Sequence, residues 1–128
     1  KAGIILNTQK YQECVDFLMS QLHHQDEEVL SAMFLTNHNE LIEYQEISVG
    51  SSIFVNVPTR ELTKIALNNN AKHIILAHNH PRQSPKPSAQ DKQVTERIKV
   101  IMQGLNLQIT DHIIIGNGHY SFLDNGLI

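Results

Sequence analysis

His78-Asn79-His80-Pro81-Arg82-Gln83-Ser84-Pro85-Lys86-Pro87-Ser88-Ala89-Gln90-Asp91 decides how this chain is read. The apolar run Ile74-Ile75-Leu76-Ala77 leads into it and reads as a buried strand. In a strand, side chains at i and i+2 share a face, so His78 and His80 project side by side. Pro81, Pro85 and Pro87 stiffen the loop that follows, because each fixes φ. Ser88 reads as a helix N-cap, which puts Asp91 on the first turn. A carboxylate there can swing back over the strand end. Two imidazoles and one carboxylate leave a fourth tetrahedral position for water, the pattern of catalytic zinc. A plainer reading stands beside it. Ser88-x-x-Asp91 is also a capping-box variant, and a histidine at a strand end is often only a polar end residue.

The spacing His-x-His, seven residues, Ser, two residues, Asp resembles the JAMM signature of the JAB/MPN metallopeptidase-like domains. Every position matches. The flanking segments Ala77-His78-Asn79-His80-Pro81, Pro87-Ser88, Asp111-His112-Ile113-Ile114-Ile115-Gly116, Tyr120-Ser121-Phe122 and Gly126-Leu127-Ile128 are similar to the bacterial RadC family. The resemblance runs from about Glu28 to Ile128. Members of that family often carry a helical, helix-hairpin-helix-like region ahead of this domain. This sequence starts Lys1-Ala2-Gly3, so it is read as one JAB/MPN domain over 1–128 and as a possible fragment.

The 128 residues are enough for one domain with a sizeable core. No apolar run reaches the length of a membrane span, and no signal-peptide pattern opens the sequence. A single cysteine, Cys14, excludes an internal disulfide framework and a multi-cysteine zinc site, and it fits a reducing cytoplasm. The net charge of −3 lacks the basic footprint of a nucleic-acid binder. Direct DNA binding by this domain is therefore not expected. Any DNA-repair role, which the RadC family name implies, would sit in another region or a partner.

Tyr11, Cys14, Val15, Leu18 and Leu22 recur at helical spacing and predict a helix over Gln9–Leu22, capped by Asn7 or Thr8. His23 and His24 follow it and read as a solvated helix end favoured by the dipole, with extra metal ligation as the alternative. Val29–Thr36 reads as a buried strand and Leu41–Val49 as its hairpin partner. Ile53–Val57 reads as a third strand, and Thr59–Asn69 as a helix ended by Asn68-Asn69-Asn70. The strand His73–His78 carries the motif. Val94, Ile98, Ile101, Met102 and Leu105 form the apolar stripe of another helix, with Gly104 at C′. Leu107–Ile115 is a strand, Asn117-Gly118 a hairpin turn, and Tyr120–Leu123 the return. The sum is an α/β fold: a mixed β-sheet of about six strands flanked by three helices, with no internal repeat. The resemblance implies the same, a JAB/MPN, cytidine-deaminase-like arrangement.

The resemblance also implies roles. One Zn²⁺ per molecule would be held by His78, His80 and Asp91. In JAMM proteins a glutamate ahead of an early apolar strand acts as general base, and Glu28 before Val29-Leu30-Ser31-Ala32-Met33-Phe34-Leu35 matches that pattern. Against it, Asp26-Glu27-Glu28 also reads as a solvated strand opening, with Glu43 and Glu46 as fallback bases. Ser88 can cap the helix or donate to an oxyanion, and the resemblance favours the second. Asp111 reads equally as an acceptor for a ligand imidazole or as a structural strand residue. His38, His73 and His119 receive no role. The implied activity is amide-bond hydrolysis on an unidentified peptide or protein; the alternatives are a non-catalytic metal-binding interaction module and a DNA-repair accessory domain. A zinc nucleobase deaminase needs His-x-Glu and Pro-Cys-x-x-Cys, and a zincin needs His-Glu-x-x-His. Neither pattern is present.

Overall fold

The computed structural model describes residues 8 to 128, with side chains from Tyr11 onward. Its elements are α1 (Thr8–Leu22), β1 (Val29–Leu35), β2 (Leu41–Val49), α2 (Ser52–Val55), α3 (Thr59–Asn68), β3 (His73–Asn79), α4 (Ala89–Gly104), β4 (Gln108–Gly116) and β5 (Gly118–Ser121). The strands form one mixed sheet in the order β2-β1-β3-β4-β5. β3 and β4 run parallel, and the other neighbouring pairs are antiparallel. A parallel pair needs a long crossover, and α4 supplies it.

The sheet is covered on both faces, which explains why β1, β3 and most of β4 are near-continuous apolar runs. On one face Cys14, Val15, Leu18 and Leu22 of α1 pack on Val29, Met33, Leu35, Ile75, Ala77, Ile113 and Ile115. On the other, Leu62 and Ala66 of α3 and Ile98 and Met102 of α4 pack on Ala32, Phe34, Ile74, Leu76 and Ile109. Strand parity therefore sends Ile74, Leu76 and His78 toward α4. The same parity sends Ile75, Ala77 and Asn79 toward α1.

Five strands and four helices are present among the described residues, against about six and three expected. The difference lies at Ile53–Val57, which is helical rather than extended. Ile53 and Phe54 donate backward to Gly50 and Ser51, and Asn56 donates to Ser52. Ile53 is buried while Val55 is 75% exposed. The segment joins neither free edge of the sheet, though β2 ends just before it, and β-branched residues favour strands only where a pleated surface receives them. Gly50, with φ +68°, makes the turn that redirects the backbone into α2.

The end of α4 also differs. Gly104 is its last helical residue, and Asn106, with φ +59°, occupies the left-handed C′ position. Leu107 N–H donates to Met102 O and Asn106 N–H to Gln103 O, which is a Schellman motif. Leu107 and Met102 then share the core, so the apolar contact of that motif fixes the register. Asn70, with φ +53°, closes α3 in the same way. The expected Asn7 or Thr8 cap of α1 lies outside the described residues and side chains.

Candidate metal centre

The His-bearing strand end lies where crossovers leave an open sheet, outside the carboxyl end of β3, a common place for a ligand. β1 runs antiparallel to β3 with Leu30 opposite His78. Two residues before Leu30, Glu28 keeps the same face and arrives at the histidines. His78 turns Nε2 to Glu28 Oε1 at 2.7 Å and Nδ1 to Asp91 Oδ1 at 3.4 Å. His80 turns Nε2 to Asp91 Oδ2 at 3.1 Å. The two imidazoles stand edge to face, with centroids 5.0 Å apart. Donor atoms of Glu28, His78 and His80 lie within 4.8 Å of one another, a spacing that one ion could bridge.

Asp91 is held from the helix side. Ser88 Oγ accepts from Asp91 N–H at 3.0 Å, and Asp91 Oδ2 accepts from Ser88 N–H at 2.8 Å. The capping box and the carboxylate at the site are thus one structure. Burial alone would raise the Asp91 pKa. The bonds from His80 and the Ser88 backbone, with both imidazoles nearby, outweigh it and hold the group at about 2. Glu28 is also held below its ordinary range, chiefly by its bond to His78. The two carboxylates differ in freedom. The Asp91 side chain is 1% exposed and the Glu28 side chain 41%.

The donor chemistry fits a metal ion. His80 Nδ1 lies 3.0 Å from Ser84 O. A carbonyl only accepts, so Nδ1 carries the hydrogen and Nε2 presents its lone pair toward Asp91. A lone pair facing a carboxylate calls for a cation between them. A proton can serve there, and the bond to Asp91 raises the His80 pKa. A divalent ion would take that proton's place.

Three residues to which the sequence reading gave no role build this site. Asn79, buried between the two histidines in sequence, points to the opposite face and grips the backbone around Glu28. Gly116 lies directly under the proline loop. A Cβ there would collide with the Gln83 carbonyl and come within 3.0 Å of Pro85 N. His80 N–H donates to Ile115 O and Asn117 N–H to Gln83 O, so this close approach seats the loop that orients His80. His112 is buried with its ring 6.0 Å from His78 and stacked on Phe122 at 4.6 Å. Thr95 Oγ1 donates to Asp91 O at 2.7 Å and accepts from His112 Nδ1 at 2.6 Å, which leaves His112 Nε2 as a bare, buried lone pair. Strand alternation was the one available signal for Asn79. Nothing local marks Gly116 or His112 apart from the flanking segment in which they stand.

Asp111 does not hold a ligand imidazole. Its carboxylate accepts from the Tyr11 and Ser121 hydroxyls and from the His112 and Leu123 amides. It ties α1 to β4 and β5, away from His78 and His80. Glu46 accepts from Gln25, and neither it nor Glu43 lines the metal cleft. His23 and His24 are exposed beyond α1, and His73 meets Thr110. Glu28, Ser88, Asp91 and His80 share one cleft of about 380 Å³.

A family model described as a RadC-like JAB domain matches residues 8–127. Among curated relatives, a UPF0758 protein of Pasteurella multocida is 39% identical over 113 residues, 88% of this chain and 50% of that protein. One from Actinobacillus succinogenes is 41% identical over 104 residues, covering 81% of this chain and 47% of the relative. One from Vibrio cholerae is 35% identical over 111 residues, 87% of this chain and 70% of the relative. The chain spans about half the length of most of the curated relatives it matches. The match covers nearly every described residue, including the strand, loop and helix that meet at the cleft, and the chain therefore belongs to the family of RadC-like JAB domains.

Proposed function

We propose that this domain is a zinc-dependent peptidase or isopeptidase of the JAMM type, acting on an amide bond of a peptide or protein. The observation that carries the reading is the convergence of Glu28, His78, His80 and Asp91 from three separate stretches of the chain, beside a cleft that Glu28, His80 and Asp91 line. Two imidazoles and a carboxylate are a donor set that suits zinc. His78, His80 and the buried Asp91 would hold the ion. Bound there, Zn²⁺ would supply Lewis acidity and bring the pKa of a coordinated water toward ~7.

Glu28 has the properties of the proton carrier. It is ionised, reaches the histidines, and keeps a solvent-facing side chain that can move between nucleophile and leaving nitrogen. Ser88 can serve twice. Capping uses a lone pair of its oxygen, which leaves the hydroxyl hydrogen free to donate to a developing oxyanion in the cleft. The free, buried Cys14 thiol is compatible with a cytoplasmic setting. No helix among the described residues is long and apolar enough to cross a membrane.

Elemental analysis followed by cleavage of a randomised peptide library tests the reading. Zinc-loaded wild type should cleave. Glu28→Gln should keep its zinc and fold while losing on the order of 10²–10⁴ in rate. Zinc-loaded protein that cleaves no member of the library, or a Glu28→Gln variant of undiminished rate, would overturn it. The first result would leave a metal-holding interaction module.

A further inference from the structure

A neighbouring space adjoins the metal cleft at Phe54. This second hollow of about 120 Å³ is lined by Phe54, Val57, Gln90, Gln93, Val94 and Arg97. Phe54 and Gln90 line the metal cleft as well, so the two hollows adjoin at these side chains and are read as one groove. Its walls are α2 with Val57 on one side and the first turns of α4 on the other. Gln90, Gln93, Val94 and Arg97 follow i, i+3, i+4, i+7 and lie along one helix face. From Gln90 to Arg97 the helix rises about 10.5 Å. Three residues of extended peptide, at about 3.3 Å each, span that distance.

The chemistry changes along the groove. Phe54, Val57 and Val94 give it an apolar middle. The carboxamides of Gln90 and Gln93 offer donors and acceptors to a passing backbone. At the far end Arg97 is exposed and takes part in none of the ion pairs among the described residues. Its guanidinium fork matches a carboxylate. We infer that this groove is a substrate subsite for an extended peptide that sets an apolar side chain against Phe54, Val57 and Val94 and a carboxylate on Arg97. The inference rests on the peptidase reading for its direction, since a hollow that adjoins the metal cleft lies on a path for the substrate. The carboxylate comes from an Asp or Glu side chain or from the carboxyl terminus of the peptide.

Selection of a displayed random ten-residue library on zinc-loaded Glu28→Gln protein reads binding without turnover. Selected peptides should pair an apolar residue with an acid two or three positions away, the acid enriched several-fold over the input. Arg97→Glu in the same background should reverse that enrichment toward Lys and Arg. Phe54→Ala should lose the apolar preference and keep the acidic one. Synthetic peptides of the selected sequences with free or amidated carboxyl termini separate the two carboxylate sources. An acid content unchanged by Arg97→Glu, or a pool with no acid preference, overturns the inference. Cleavage by wild type is scored separately. Cleavage without an acid preference defeats the subsite alone, and the selected motif without cleavage defeats the peptidase reading alone.

Discussion

Asn79 holds Glu28 in place by gripping the peptide on either side of it. The Asn79 side-chain oxygen accepts from Val29 N–H at 2.6 Å, and its amide donates to Glu27 O at 3.0 Å. The Glu28 carbonyl is itself tied to Gly50 N–H at 2.8 Å. The carboxylate thus hangs from a backbone fixed at three points. Asn79→Ala leaves two backbone groups without their partners, at about 1–3 kcal/mol for a buried group. Loss of such outer support typically costs about 10–100-fold in affinity or activity. We expect metal content to stay near wild type while the cleavage rate falls in that range, with the loss of stability read from urea denaturation. A variant that loses its metal and regains the full rate when zinc is restored would show that Asn79 supports the histidines instead.

Metal content separates the site histidines from the rest. His78→Ala and His80→Ala each remove an imidazole from the cluster and should abolish stoichiometric zinc. His23→Ala and His24→Ala, exposed beyond α1, should retain one zinc per molecule. Elemental analysis after gel filtration in zinc-buffered solution is the measurement. Undiminished zinc in His80→Ala would defeat the assignment.

Gly116→Ala should act on His80 from a distance. The new Cβ meets backbone atoms of Gln83 and Pro85, which cannot rotate away as a side-chain tip would. The loop must lift, and with it the Ser84 carbonyl that fixes the His80 ring. Overpacking of this kind costs about 1–3 kcal/mol. We expect a lower Tm together with weaker zinc affinity in a chelator competition. Lowered stability with unchanged affinity would mean that the loop and the ligand are uncoupled.

His112 should make the metal-free fold acid-sensitive. Burial, with His78 nearby, pulls its pKa from 6.5 down to about 3. A depressed folded-state value means that the unfolded protein binds the proton first. The stability contribution is complete above pH 6.5 and is lost as the pH falls toward 3. The slope approaches about 1.4 kcal/mol per pH unit, roughly one proton. His112→Asn retains a donor for Thr95 and removes the titration. Its denaturation midpoints in the presence of chelator should flatten between about pH 6 and 4 relative to wild type. Parallel acid limbs for the two proteins would refute the assignment.

Duplex DNA should bind weakly to residues 1 to 128. Ten basic residues face thirteen acidic ones, and counterion release needs a cluster of cations on phosphates. Lys92, Arg97 and Lys99 lie on α4 without making a continuous basic face. Fluorescence anisotropy at physiological salt is the check. Submicromolar affinity with a steep salt dependence would contradict the charge argument.

The sequence by itself determined the parts of this protein that obey local rules. Period-two alternation made His78 and His80 neighbours, and the Ser88–Asp91 spacing made a capping box whose carboxylate comes back toward the strand. Apolar runs bounded by turn residues located α1, β1, β2, α3, β3, α4 and β4 to within a few residues. Tertiary structure decided what depends on which surface receives a segment. Ile53-Phe54-Val55 has the composition of a strand, yet it pairs with no strand of the sheet, forms α2 and sets Phe54 beside the metal cleft. The αL position after α4 fell to Asn106 rather than Gly104, because the contact between Leu107 and Met102 chose the register. Asp111 lay next to a histidine in sequence but belongs to Tyr11 and Ser121, a hundred residues and ten residues away. Asn79 and Gly116 owe their roles to contacts with residues from Glu27 to Val29 and with Gln83. Such contacts carry no local signature, since strand pairing and loop seating bring together groups that lie tens of residues apart in the sequence.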